Sequence, residues 1–284
     1  MDGLLINSED LYSLCTNIVL QEHGKPDLPW SIKAQLQGRP GPEATRIFQE
    51  WAQLPMDDPA YRARIAALQA EHFPSCEPLP GVPELLRNLS RTSTPKVHMA
   101  LATSSHKVNF ALKTQKLEEL FSVFAKDRRV LGDDERIPKG RGKPAPDIYL
   151  LALETINEGI RRQNQSDGMK QEQEIRPDEC LVFEDSVPGV ESGRRAGMQV
   201  VWCPHSGLLQ EYRGREKEVL AGLTGQYQEV GEERTESEKK NEAFGKVVAT
   251  GQRLKGAPGN IDDGSGRLLE SLADFPYVEY GIQI

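Results

Sequence analysis

Nowhere in its 284 residues does the chain carry an apolar run approaching the roughly 18 to 20 residues that a membrane-spanning helix needs. The acidic start, with Asp2, Glu9 and Asp10, is unlike a signal or transit peptide. A basic excess is missing as well: 35 Lys and Arg stand against 43 Asp and Glu, a formal charge of -8, whereas a nucleic-acid footprint is a clustered surplus of cations. Cysteine is scarce. Cys15, Cys76, Cys180 and Cys203 are widely spaced with no C-x-x-C pair, which excludes a zinc knuckle and a dithiol redox motif and leaves reduced thiols in a cytosolic protein as the expectation. What is present is a hydrophobic share of 37 %, enough for a real core in one large domain or two modest ones. The chain is expected to be cytoplasmic, with the nucleus as a second location, and to act as a monomer without nucleic acid or membrane as partner.

Residues from about Ser8 to Glu77 carry helical patterns at Glu9 to Gln21, Pro42 to Gln53 and Asp58 to Ala70, separated by Pro- and Gly-bearing breaks. From Pro80 the pattern changes. A helix at Val82 to Leu89 is followed by a buried strand at Val97 to Ala102 and a helix at Lys107 to Leu117. Strand at Phe121 to Phe124, helix at Asp147 to Glu158, strand at Cys180 to Phe183, helix at Gly189 to Ala196 and strand at Gln199 to Trp202 complete the alternation. Such alternation predicts an α/β fold, a doubly wound parallel sheet with helices on both faces, and places ligands beyond the carboxyl ends of the strands. Gly159 to Arg176 reads as an expanded connection. Gly225 to Gly266, with its mixed charges around Glu232 to Lys240, reads as a solvated, flexible loop, and Leu268 to Ile284 regains apolar residues that would dock on the core.

Four short segments fall at or near strand ends. Asp2-Gly3-Leu4-Leu5 opens the chain. Leu101-Ala102-Thr103-Ser104-Ser105 ends an apolar strand in hydroxyl residues that open a helix, offering OH and N–H groups to an anion. Gly142-Lys143-Pro144-Ala145-Pro146-Asp147 holds a Lys at a helix entry. Leu181-Val182-Phe183-Glu184-Asp185-Ser186 sets paired acids after a buried strand, where they are costly to desolvate unless a cation compensates. Each has a plainer reading. Thr103 and Ser104 could cap a helix, Lys143 could be a surface cation, Glu184 and Asp185 could answer a helix dipole, and Asp2 could be a terminal residue without a role.

In order and spacing the four resemble the signature motifs of the haloacid dehalogenase-like superfamily. The wording Asp-Gly-Leu-Leu, Ala-Leu-Ala-Thr-Ser-Ser, Gly-Lys-Pro-x-Pro-Asp-Ile and Cys-Leu-Val-Phe-Glu-Asp-Ser resembles its eukaryotic pseudouridine-5'-phosphatase group with fungal relatives, over residues 1 to about 205. The resemblance implies a Rossmann-like core formed by 1–12 and 80–284, a helical cap at 13–79, and Mg2+-dependent hydrolysis of a small phosphorylated metabolite, a sugar- or nucleoside-phosphate, through an aspartyl-phosphate. Asp2 would be the acid and base and would lend its carbonyl to the metal. Thr103 and Ser104 would hold phosphoryl oxygens, Lys143 would offset charge, Glu184 and Asp185 would hold Mg2+, and Arg39, in a Gly-Arg of the cap, would clamp a second oxyanion. Tyr12 stands where the sugar-phosphate mutases of the family carry His, so phosphatase is expected over mutase, and the Asp at position 2 argues against dehalogenase.

The family's nucleophilic Asp stands two residues before the acid and base, ahead of Met1, after a central strand of about five apolar residues. The expectation is therefore an N-terminally shortened form of a phosphatase, inactive as written. A non-catalytic protein that binds a phosphometabolite is the alternative.

Overall fold

Two short parallel ladders carry the architecture. One joins β1 (Leu101–Ala102) to β2 (Arg129–Val130), with Leu101 opposite Arg129. The other joins β3 (Leu181–Glu184), β4 (Gln199–Trp202) and β5 (Gly266–Leu268) in the order β3-β4-β5, with Val182 opposite Val200 and Val200 opposite Gly266. The computed structural model describes residues 1–38, 41–93, 95–166, 171–227 and 256–284.

Because successive strand side chains point to opposite faces, parity along each strand decides which core it feeds. Leu101, Leu181, Phe183 and Val201 enter one cluster, whereas Ala102, Val130, Val182, Val200 and Trp202 enter another. Strands of both ladders thus contribute to the same two faces, as two parts of one layer. Helix α5 (Val82–Arg91) covers the first face with Val82, Leu85, Leu86 and Leu89, the i, i+3, i+4, i+7 stripe of an amphipathic helix. Burying each such side chain is worth roughly 1.5–3 kcal/mol. Phe121, Phe124, Leu269, Leu272, Phe275 and Ile282 share that cluster with Met1, Leu4, Leu5 and Ile6. The second face is covered by α8 (Asp147–Ser166) through Ile148, Ala152 and Leu153, and by α9 (Val187–Arg195) through Val187 and Val190. The doubly wound α/β reading holds.

The expected single sheet is instead two ladders, and among the described residues no strand joins β1 to β3. The first residues do not extend into that space. Gly3 adopts φ 61, the N–H of Leu5 donates to the Met1 carbonyl at 2.8 Å, and only isolated bridges from Asp2 to Ile6 and from Ile6 to Pro78 follow. Other expectations are corrected locally. The strand at Val97 to Ala102 shrinks to its last two residues. Phe121 to Phe124 is no strand: Phe121 ends α7 (Glu118–Phe121), and the ladder partner of β1 lies further on at β2. Helix α8 runs to Ser166, well into the stretch read as a loose connection.

The amino-terminal quarter is helical: α1 (Ser8–Glu22), α2 (Trp30–Leu36), α3 (Gly41–Ala52) and α4 (Asp58–His72). Asp57 starts α4 as an N-cap, its Oδ1 accepting from Ala60 N at 2.8 Å. These helices bury small clusters of their own, Cys15, Val19 and Leu68 in one, Leu20, Phe48 and Ala52 in the other. Helix α6 (Lys107–Thr114) follows β1. The helices α10 (Ser206–Glu211) and α11 (Glu216–Ala221) follow β4. The expected loop is anchored where it is described: Gln226 N donates to Glu191 at 3.1 Å and Arg195 donates to the Gly256 carbonyl at 2.6 Å, while 228–255 lie outside the described residues.

Candidate active site

The buried strand β3 delivers Glu184 and Asp185 to the amino-terminal end of α9, and the local sequence then decides what each carboxylate can meet. Ser186 caps α9, its Oγ accepting from Gly189 N at 3.2 Å and itself donating to Glu184 Oε2 at 3.1 Å. The N–H groups of Asp185 and Ser186 also donate to Glu184 Oε2, at 3.1 and 3.2 Å. Glu184 Oε1 accepts from the Lys143 ammonium and the Tyr149 hydroxyl, both buried. Burial alone would raise the Glu184 carboxyl, yet Lys143, the Met1 ammonium and the Tyr149 hydroxyl together hold the group down at about 2. Lys143 is steered there by its loop, for Ser192 of α9 donates to the Ala145 carbonyl at 2.7 Å.

Asp185 is in the opposite position. Its backbone is fixed, the Trp202 indole N–H donating to its carbonyl at 2.9 Å, and its Oδ2 accepts from Gln37 Nε2 at 2.7 Å. Burial, Glu184 and Glu9 push its carboxyl well above the usual range, and among the described residues no Lys or Arg pairs with it. A buried carboxylate pressed by two other acids calls for a cation, and an all-oxygen donor set suits a hard one such as Mg2+, which is commonly held by one or two carboxylates with water and phosphate completing the shell. Asp185 and Glu184 fit that role. The expected third contribution is narrower than a carboxylate, because the Asp2 side chain is taken elsewhere, and among the described residues no group of three or more His, Cys, Asp or Glu converges on one point.

The first segment reaches Asp185 through its glycine. A Cβ on Gly3 would lie 2.5 Å from Asp185 Oδ2, so the backbone passes the carboxylate at a distance that only glycine allows. Asp2 itself faces α6. Its Oδ1 accepts from Ser8 Oγ at 2.6 Å and from Lys113, and its Oδ2 accepts from Ser105 Oγ at 2.7 Å. Burial would raise this carboxyl, but Lys113 prevails and brings it down to about 2; the same pair raises Lys113.

Thr103 is buried at the end of β1. Its N–H donates to the Val130 carbonyl at 3.0 Å and its Oγ1 accepts from Ser105 N at 3.2 Å, a local turn rather than the helix cap weighed for it, since α6 starts at Lys107 with His106 at its N-cap position. Ser104 is exposed, and the hydroxyl that reaches Asp2 belongs to Ser105. Arg39 lies outside the described residues.

All four segments are therefore brought together: the first to the second through Asp2 and Ser105, the first to the fourth through Gly3 and Asp185, the third to the fourth through Lys143 and Glu184. Sequence reasoning missed Lys113, Ser105, Tyr149 and Gln37. Only Ser105 carried a signal, as the next hydroxyl of a run already singled out.

Comparison with known proteins agrees with this arrangement. The family model for haloacid dehalogenase-like hydrolases matches residues 1–203. A probable pseudouridine-5'-phosphatase of Saccharomyces cerevisiae is 47 % identical, covering 72 % of this chain and 80 % of its own length. A mitochondrial (DL)-glycerol-3-phosphatase of Arabidopsis thaliana is 33 % identical, covering 78 % of this chain and 68 % of that protein. Among solved structures, a putative beta-phosphoglucomutase of Thermotoga maritima superposes with a TM-score of 0.51 at 28 % identity, over 74 % of this chain and 88 % of its own. With the model matching well over half of its length and four motif segments meeting at one place, the chain belongs to the haloacid dehalogenase-like hydrolases.

Proposed function

We propose that this chain is the body of a Mg2+-dependent phosphomonoesterase acting on a small sugar- or nucleoside-phosphate, with pseudouridine 5'-phosphate as the first substrate to try. The carrying observation is the buried Lys143–Glu184 pair set beside Asp185, an acid with no ion-pair partner among the described residues, and against Gly3. Similarity to phosphatases of pseudouridine 5'-phosphate and glycerol 3-phosphate supports the substrate class.

In this reading Asp185 and Glu184 hold Mg2+, with the Asp2 carbonyl as a further donor. When bound, the ion supplies positive charge to the transferring phosphoryl oxygens. Lys143 neutralises Glu184 and the phosphoryl group, Thr103 donates to a phosphoryl oxygen, Ser104 lies at the solvent edge of that subsite, and Arg39 contacts a second anionic group. Asp2 protonates the leaving oxygen and later takes a proton from the attacking water. The nucleophilic Asp of the family aligns ahead of Met1 and would form the aspartyl-phosphate. The helices of 13–79 act as a cap, for which the reach of Gln37 to Asp185 is the supporting contact. The protein works as a monomer in the cytoplasm or nucleus.

The test is phosphate release from a panel of nucleoside, nucleotide and sugar monophosphates, with Mg2+ and with EDTA, for the chain alone and with a strand and Asp supplied ahead of Met1. Release confined to the extended form with Mg2+ supports the reading. Release by the unextended form, or equal release in EDTA, overturns the mechanism. Binding without turnover in both forms favours the second reading, a non-catalytic phosphometabolite binder, for which the engagement of both Asp2 and Glu184 by lysines is the supporting observation.

A further inference from the structure

Lys113 is a cation with no access to solvent, held in the last turn of α6. An ammonium has three donors, and three acceptors meet it: the Asp2 carboxylate, the Ser105 hydroxyl, and the Tyr12 hydroxyl at 3.2 Å. Two ring faces close the rest of its shell, Tyr12 with its centroid at 5.1 Å and Phe73 at 5.3 Å. Those rings pack edge to face at 4.8 Å. Tyr12 lies near the start of α1 and Phe73 in the 3-10 turn Phe73–Ser75 after α4, so the chain's entry to the helical segment and its exit both press on one ammonium. Among the described residues, every hydrogen bond to the Asp2 carboxylate comes from Lys113, Ser105 or Ser8, and Lys113 itself bonds Ser105.

We propose that Lys113 is a positioning residue for Asp2: it fixes the orientation of the Asp2 carboxyl group and, through Tyr12 and Phe73, makes that orientation depend on how the helical segment is seated. The inference rests on the phosphomonoesterase reading: Asp2, ionised in the resting chain, takes up a proton from water when the anionic substrate binds, the P–O electron pair passes to the leaving oxygen, that proton follows it, and Asp2 is left as a carboxylate again. An alkoxide needs that proton, whereas p-nitrophenolate leaves without it. Displacing an acid group from its working position therefore costs rate on an alkyl phosphate and little on p-nitrophenyl phosphate.

The experiment is to measure kcat/KM, which reports the steps through leaving-group departure, for the form with a strand and Asp supplied ahead of Met1 and for the same form carrying Lys113→Met or Tyr12→Phe, on glycerol 3-phosphate and on p-nitrophenyl phosphate. The expected result for Lys113→Met is a loss of about 100-fold on the alkyl ester against less than about 3-fold on the aryl ester. Tyr12→Phe, which keeps the ring and removes one acceptor, is expected to shift the ratio the same way by about 5-fold. If Lys113→Met fails to melt cooperatively, Tyr12→Phe decides the matter alone. Equal losses on both esters, the mark of a merely structural role, or no change in either, overturn the inference while leaving the phosphatase reading intact. An extended protein, without either substitution, that cleaves neither ester overturns that reading and the inference with it.

Discussion

Gly189 sits against Glu184 so closely that a Cβ built on it would lie 2.1 Å from the carboxyl carbon and 2.2 to 2.3 Å from both carboxyl oxygens. The first turn of α9 can bring its N–H groups onto Glu184 only because that side chain is missing. Gly189→Ala should therefore push Glu184 off Lys143 and Ser186, costing roughly 1–3 kcal/mol as an overpacking change. A denaturant titration checks the stability, and an unchanged midpoint would contradict the geometry.

Lys143→Met leaves Glu184 buried beside Asp185 without its cation. Breaking a buried pair by removing one partner costs about 3–5 kcal/mol, a large share of the stability of an ordinary domain. The substitution should lower the urea midpoint strongly, and Lys143→Met combined with Glu184→Gln should recover part of the loss. A double variant no better than the single one would show that the pair is not coupled.

Asp185 is expected to behave in the opposite sense. Its carboxyl is raised by burial, Glu184 and Glu9, so the charged form is disfavoured in the folded chain. Asp185→Asn should raise the melting temperature of the metal-free chain by roughly 3 °C and should abolish any rise caused by Mg2+. Thermal melts with EDTA and with Mg2+ measure both, and a Mg2+-dependent rise that survives the substitution would remove Asp185 from the cation site.

Acid should unfold the protein through Asp2 and Glu184. Their ordinary values are 3.8 and 4.5, and both are held at about 2 in the folded state. A depressed carboxyl stabilises above its unfolded value and loses that contribution as pH falls toward its folded value, here between about pH 4.5 and 2, at about 2 kcal/mol for Asp2. Denaturant midpoints at pH 7, 4.5 and 2.5 trace the loss. In Lys113→Met the largest opponent of burial at Asp2 is gone, leaving the Met1 ammonium and the Ser8 hydroxyl, so the deficit relative to wild type should shrink as pH falls.

The legible parts of this chain are those where a pattern changes at a strand end. Glu184 and Asp185 announce themselves because two acids follow Leu181-Val182-Phe183, and Thr103 because hydroxyls follow Leu101-Ala102. A single polar residue inside a helix gives no such contrast, so Lys113 reads as one more exposed cation although both its neighbours in space, Asp2 and Tyr12, come from the far end of the chain. Gln37, just past the short helix α2, was hidden for the same reason. Phe121 and Phe124 were misread because a short apolar run fits a strand as well as two buried positions one helical turn apart. The length of α8 was missed because only Ile160 carries the buried stripe past Glu158, and the final turn is polar, held by the ion pairs of Arg161 with Glu154 and Arg162 with Asp127.

The cluster that supports the Asp2-Gly3 turn draws Met1, Leu4, Leu5 and Ile6 from one end of the numbering and Leu269, Leu272, Phe275 and Ile282 from the other. Contacts of such long sequence separation close a very large loop and form slowly. During synthesis Met1, Leu4, Leu5 and Ile6 stay without these partners until position 282 has been made. The turn that borders Asp185 is then among the last segments to be packed, and a nascent chain would offer these apolar residues to chaperones until then.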